Sequence, residues 1–122
     1  MFDISAEKST ELLGKMIDFT ALKQKVIANN IANVNTPGYK RLDVKFNQDL
    51  ENAIESRESV RDLRLKVAVD KSGGIEIGAR NDGNTVDMDR EVSQLMQNAL
   101  SFNVYLELMA FKFKMATRAM KR

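Results

Sequence analysis

The chain contains no cysteine and no histidine. Without cysteine there is no disulfide framework, no thiolate nucleophile and no cysteine-based zinc site. Without histidine the commonest general base and metal ligand is missing as well. Most hydrolase and oxidoreductase mechanisms are thereby disfavoured, leaving paired carboxylates as the main catalytic chemistry still open. A single proline in 122 residues leaves room for long helices. Basic residues barely exceed acidic ones, 19 Lys and Arg against 17 Asp and Glu, which argues against a dedicated nucleic-acid binder. No apolar run approaches the roughly 18–20 residues of a membrane span. Asp3, Glu7, Lys8, Glu11 and Lys15 break up the N-terminal stretch, which therefore lacks the apolar core of a secretory signal peptide. Read this far, the chain is one cytoplasmic domain spanning residues 1–122, since domains usually run about 100–150 residues.

What the chain does have is helical periodicity at both ends. Residues 9–34 carry Leu12, Met16, Phe19, Val26, Ile27 and Val34 on one broad face, with Ser9 or Thr10 available as N-cap. Lys23 and Asn30 intrude into that face, and an asparagine at a seam position fixes register at some cost in stability. The run stops at Thr36-Pro37-Gly38, because the residue before a proline avoids the helical region and Pro-Gly suits the centre of a type II turn. Residues 88–121 carry the stronger signal. Val92, Leu95, Ala99, Phe102, Leu106, Met109, Phe113, Ala116 and Met120 follow alternating steps of 3 and 4, the pattern of a coiled-coil seam. Asp87 or Asp89 can cap the start of this helix, and Lys112, Lys114, Arg118, Lys121 and Arg122 suit its negative end.

A second stripe lies on the same C-terminal segment: Leu100, Val104, Leu108, Phe111 and Met115. One partner helix covers one stripe, so two stripes imply burial from two sides and point to polymerisation. The expectation is that the first seam is buried against the N-terminal helix and the second against other subunits. Residues 35–87 are weaker in pattern. They predict a short helix over residues 44–56 and a strand over residues 63–69. A possible small hairpin follows through Gly73-Gly74 to Ile75-Glu76-Ile77, and then a turn or mobile loop at Asn81-Asp82-Gly83-Asn84. The fold class that follows is mainly α: long terminal helices pairing as an α-helical coiled coil around a small irregular or β insert.

Four asparagines fall within residues 29–35, in the segment Ala28-Asn29-Asn30-Ile31-Ala32-Asn33-Val34-Asn35-Thr36-Pro37-Gly38-Tyr39. Composition alone reads this as a fraying helix end, or as side-chain amides that bond backbone and neighbouring subunits. The segment resembles the N-terminal signature of the axial proteins of the bacterial flagellum: the rod, hook and hook-associated proteins. Asn29, Asn30, Asn33, Thr36, Pro37, Gly38 and Tyr39 carry the resemblance. Asp82-Gly83-Asn84-Thr85-Val86-Asp87-Met88-Asp89-Arg90-Glu91 before a long final helix, together with the short length, is similar to the proximal rod members of that superfamily. The opening Phe2-Asp3-Ile4-Ser5 is closer to a second proximal rod protein.

The resemblance implies a structural subunit with no enzymatic activity, no cofactor and no metal. It implies assembly with itself and other rod proteins, at the rod base against the adaptor protein FliE and the export gate. It also implies export by the flagellar type III apparatus without a cleaved signal, into the periplasm, replacing the cytoplasmic reading. Other readings fit less of the chain. Gly73, Gly74 and Gly78 lack the order of a phosphate-binding loop. Glu51 with Glu55, or Asp87 with Asp89, could form a glycosidase pair, but acids at helix ends and faces are ordinarily caps or solvated. The basic amphipathic C-terminus could lie on anionic lipid, whereas a helix end complementing its dipole accounts for the same charges. The seven methionines suit adaptable packing better than a metal site. A cytoplasmic coiled-coil adaptor is the remaining alternative.

Overall fold

The computed structural model of the chain describes residues 6–56, 63–70 and 83–121. Among these residues the elements are, in order, helix α1 (Ala6–Ala32), strand β1 (Leu42–Lys45), helix α2 (Asn47–Ser56), strand β2 (Lys66–Val69) and helix α3 (Met88–Met120). The two long helices pack against each other. They run antiparallel, with Ser9 beside Lys112 near one end, Thr20 beside Asn98 in the middle and Asn30 beside Glu91 at the other. At about 1.5 Å per residue, α3 is roughly 50 Å long. No helix among the described residues is long and apolar enough to cross a membrane.

The helix boundaries follow local chemistry. Asp87 caps α3, its Oδ1 accepting from Asp89 N at 3.0 Å and Arg90 N at 3.5 Å, which satisfies N–H groups that have no partner within the helix. Asp89 and Glu91 occupy the first turn of α3 and Arg118 the last, both favourable for the helix dipole. At the other end of the molecule α1 already runs from Ala6, so neither Ser9 nor Thr10 is its cap. Ser9 Oγ instead accepts a hydrogen bond from Lys112 Nζ. The Thr36-Pro37-Gly38-Tyr39 turn is closed by Tyr39 N to Thr36 O at 3.3 Å, with Gly38 at φ 73°. That is the left-handed residue a type II turn requires at its third position.

The insert differs from expectation in two places. Residues 42–45 are strand rather than the start of a helix, and α2 begins only at Asn47. The short alternation of Leu42 and Val44 on one side places Val44 in the core, where Phe46 follows it and stacks on Phe19 of α1 at 5.1 Å. The predicted strand over 63–69 is present as β2, but it pairs antiparallel with β1, Leu42 facing Val69 and Lys45 facing Lys66. The expected hairpin partner, residues 75–77, lies outside the described residues, as do residues 81 and 82 of the turn at 81–84. Among the described residues the core is small: Leu13, Val26 and Ile27 of α1, with Val44, Phe46, Ala53 and Val86.

Candidate functional site

The Asn-rich end of α1 is a knot of side-chain amides. Asn30 is fully buried and meets both backbone groups of Leu42: its Nδ2 donates to Leu42 O at 2.9 Å, and its Oδ1 accepts from Leu42 N at 3.0 Å. It thus serves β1 as a neighbouring strand would. Tyr39 Oη donates to Asn30 Oδ1 at 3.0 Å and accepts from Asn29 Nδ2 at 2.9 Å. Burial raises the Tyr39 pKa; the hydrogen bond from Asn29 opposes this and the Glu91 charge adds to it. Asn33 Nδ2 donates back to Asn29 O at 2.8 Å, and its Oδ1 accepts from Thr36 Oγ1 at 3.1 Å. Asn29, Asn30, Asn33, Thr36 and Tyr39 therefore form one hydrogen-bonded group, with Pro37 and Gly38 supplying the bend.

Two residues outside that motif complete it. Asn84, also fully buried, directs Nδ2 at the carbonyls of Asn33, Val34 and Thr36, at 2.9, 3.1 and 2.8 Å. Its Oδ1 accepts from Val86 N at 2.8 Å. The segment before α3 thereby satisfies the carbonyls that the end of α1 leaves open. Gly83, at φ 78°, brings it close; a Cβ there would lie 3.7 Å from Gly38 Cα. Arg41 is the second. Its Nε donates to Glu91, its Nη1 to Asp70 at 2.6 Å and its Nη2 to Gln94 Oε1 at 2.6 Å. Burial opposes the Arg41 charge, but the hydrogen bond and charge of Glu91, with Asp43 and Asp70, outweigh it and raise its pKa. Glu91 is fully buried and also accepts from Asn30 Nδ2 at 3.4 Å. Arg90 joins Asp70 at 3.3 Å. Among the described residues no buried side-chain nitrogen or oxygen lacks a partner.

The side of α3 that faces α1 is consequently polar at alternate turns. Glu91 and Asn98 are its buried residues. Asn98 Nδ2 donates to Thr20 O at 2.8 Å and to Gln24 Oε1 at 3.0 Å. Leu95, Phe102, Tyr105, Met109 and Lys112 are half-buried along the same side. The heptad seam expected from sequence is therefore divided. Leu95, Phe102 and Met109 turn toward α1, while Val92, Ala99, Leu106, Phe113, Ala116 and Met120 are exposed, Phe113 at 61% and Met120 at 85%. The reason lies in α1, where the Ser9 hydroxyl, the Thr20 carbonyl with the Gln24 side chain, and the Asn30 amide meet Lys112, Asn98 and Glu91 of α3. The second stripe, Leu100, Val104, Leu108, Phe111 and Met115, is exposed throughout, Leu100 at 67%.

The outward surface of α3 is thus the least satisfied feature of the described structure, an apolar face far longer than a monomer ordinarily exposes. The acidic pairs offered for catalysis do not form a site. Asp87 is spent on capping, Asp89 is exposed on α3, and Glu51 and Glu55 are exposed on α2. Among the described residues no group of acidic side chains is placed to hold a metal ion.

Comparison with known proteins identifies the family. Residues 20–40 match the family model described as flagella basal body rod protein, a window that holds the amide knot and its Pro-Gly turn. The chain is 37% identical to the flagellar basal body rod protein FlgB of Borrelia hermsii over 88% of its length and 92% of that protein. It is 37% identical to FlgB of Bacillus subtilis over 75% of this chain and 77% of the relative, and 31% identical to FlgB of Escherichia coli over 80% and 82%. These relatives are FlgB proteins rather than the second proximal rod protein, FlgC, to which the sequence of residues 2–5 is similar. The chain belongs to the FlgB family of flagellar basal body rod proteins.

Proposed function

We propose that this chain polymerises into the proximal segment of the flagellar rod and transmits torque across the periplasm, with no catalytic step of its own. The observation that carries this reading is the division of labour on α3. Its side toward α1 is held by specific polar pairs, and its remaining apolar surface is left for other chains. Burying about 25 cal/mol per Å² of apolar surface on assembly favours polymer over subunit, and contacts that do not close on themselves build helical arrays. The seam residues Val92, Leu106, Phe113 and Met120 join the second stripe as packing positions between subunits. The amide knot fixes the angle at which the chain leaves α1, and so the orientation of the insert on each subunit.

The partners in this reading are further copies and other rod proteins, with FliE and the export gate at the base. Delivery is by the flagellar type III apparatus without a cleaved signal. Fractionation tests the reading. The tagged chain, expressed in a motile cell lacking its own copy, is expected to restore motility and co-purify with basal bodies. Recovery only in the soluble fraction would favour a cytoplasmic adaptor instead. Release of muropeptides by the purified protein from peptidoglycan would revive the enzymatic reading.

A further inference from the structure

The contact of Lys112 with Ser9 lies near the start of α1, and beyond it every residue of α3 from Phe113 to Lys121 is exposed. Residues 108–122 hold five basic side chains and no acidic one, more positive charge than the whole chain's net +2. At about 100° per residue, Lys114, Arg118 and Lys121 share one narrow face of the helix. Leu108, Phe111 and Met115 lie on the adjoining face, 48%, 60% and 55% exposed. Neither face is the one turned toward α1, which carries Phe102, Met109 and Lys112. Among the described residues no carboxylate pairs with Lys114, Arg118 or Lys121. The helix dipole explains only part of this pattern. Its effect is confined to the last turn, which holds Arg118. Lys114 lies a full turn further back, and the dipole gives no reason for exposed phenylalanine and methionine beside it.

We infer that this end of α3 binds an anionic lipid surface when the chain is free. Leu108, Phe111 and Met115 enter the boundary between headgroups and acyl chains, while Lys114, Arg118 and Lys121 meet headgroup phosphates. An apolar strip edged by cations is the pattern of a helix that lies in a membrane interface. Long basic side chains run their stems along the apolar surface and keep their charge at headgroup level. Charge and apolar surface together select this occupant. A soluble polyanion would engage the cations and leave the three apolar side chains in water. The same face of a second copy, set alongside in register, would bring cation against cation. Lipid and neighbouring subunits compete for Leu108, Phe111 and Met115, so the contact belongs to the chain before assembly and does not depend on the rod reading.

Vesicle flotation with the full chain tests this and keeps lipid-bound protein apart from self-associated protein. The wild type is expected to float with vesicles of phosphatidylglycerol and phosphatidylcholine, to stay behind with phosphatidylcholine alone, and to be released as salt rises. Lys114→Gln with Arg118→Gln and Lys121→Gln is expected to weaken binding about 100-fold at low salt. Lys25→Gln with Lys45→Gln and Lys66→Gln removes as many exposed charges elsewhere and is expected to weaken it less than about threefold. Phe111→Ser with Met115→Ser keeps every cation and is expected to lose about tenfold. Each variant is checked for wild-type helicity by circular dichroism; should the serine pair lose helicity, Phe111→Gln with Met115→Gln takes its place. No flotation with the anionic vesicles, equal flotation with both vesicles, or equal losses in the two charge variants would overturn the inference. Undiminished binding by Phe111→Ser with Met115→Ser would overturn it too, and would mark a site for soluble polyanions instead. The rod reading is decided separately, by co-purification with basal bodies.

Discussion

Asn30 holds both backbone groups of Leu42, donating to its carbonyl at 2.9 Å and accepting from its N–H at 3.0 Å. A helix side chain thus completes the edge of a strand twelve residues away, and the same amide reaches Glu91 on α3. Three elements are fixed by one side chain. Replacing it strands several buried polar groups at once, and leaving a buried donor or acceptor unpaired costs about 1–3 kcal/mol each. Asn30→Ala is expected to lower unfolding stability by roughly 2–4 kcal/mol, measured by denaturant titration. A loss below about 0.5 kcal/mol would mean that water replaces the amide.

The Arg41–Glu91 pair predicts a non-additive double mutant. Arg41→Met leaves the fully buried Glu91 without its cation, and breaking such a pair from one side costs about 3–5 kcal/mol. Removing both charges, Arg41→Met with Glu91→Met, is expected to recover much of that loss, because neither charge then needs compensation. A cycle in which the single losses simply add would show that the two side chains act independently.

Gly83 predicts a purely conformational penalty. A methyl group there meets no atom nearer than 3.7 Å, yet the residue sits at φ 78°. Gly83→Ala is therefore expected to cost about 1–2 kcal/mol, and Gly83→Asn distinctly less, since asparagine tolerates the left-handed region. Equal thermal shifts for the two variants would place the penalty elsewhere.

Tyr39 carries a pH dependence. Its pKa is raised from 10.0, chiefly by burial, so folding favours the neutral phenol that donates to Asn30. That contribution is fully present below the ordinary tyrosine pKa and is lost as pH rises through the raised folded value. Unfolding titrations from about pH 8 to about pH 11 are expected to show a steeper alkaline loss for the wild type than for Tyr39→Phe. Parallel curves would contradict the coupling.

These residues also mark how far the sequence could be read. The Thr36-Pro37-Gly38 turn and the Asp87 cap depend on neighbours within three residues, and both were legible. The long terminal helices were legible from their periodicity. Arg41 was not, because its partners Asp70, Glu91 and Gln94 lie 29 to 53 residues away and nothing local distinguishes it from Lys40. Asn84 reads locally as a turn residue; only the fold brings it under the end of α1. The seam of α3 is legible only in part: Leu95, Phe102 and Met109 face α1, and the rest of it does not. Periodicity locates the most apolar face, and that face need not turn wholly inward when the partner helix offers Ser9, Gln24 and Asn30 to Lys112, Asn98 and Glu91.

On the proposed function, the apolar surface of α3 that α1 leaves uncovered packs against other subunits. Leu106→Asp tests it most directly, since Leu106 is exposed in the single chain and the substitution leaves the amide knot and the Asn98 pairing untouched. In cells carrying only this variant, a folded subunit at wild-type levels is expected, with no rods in purified basal bodies and no motility. Intact rods and normal swimming with Leu106→Asp would contradict it.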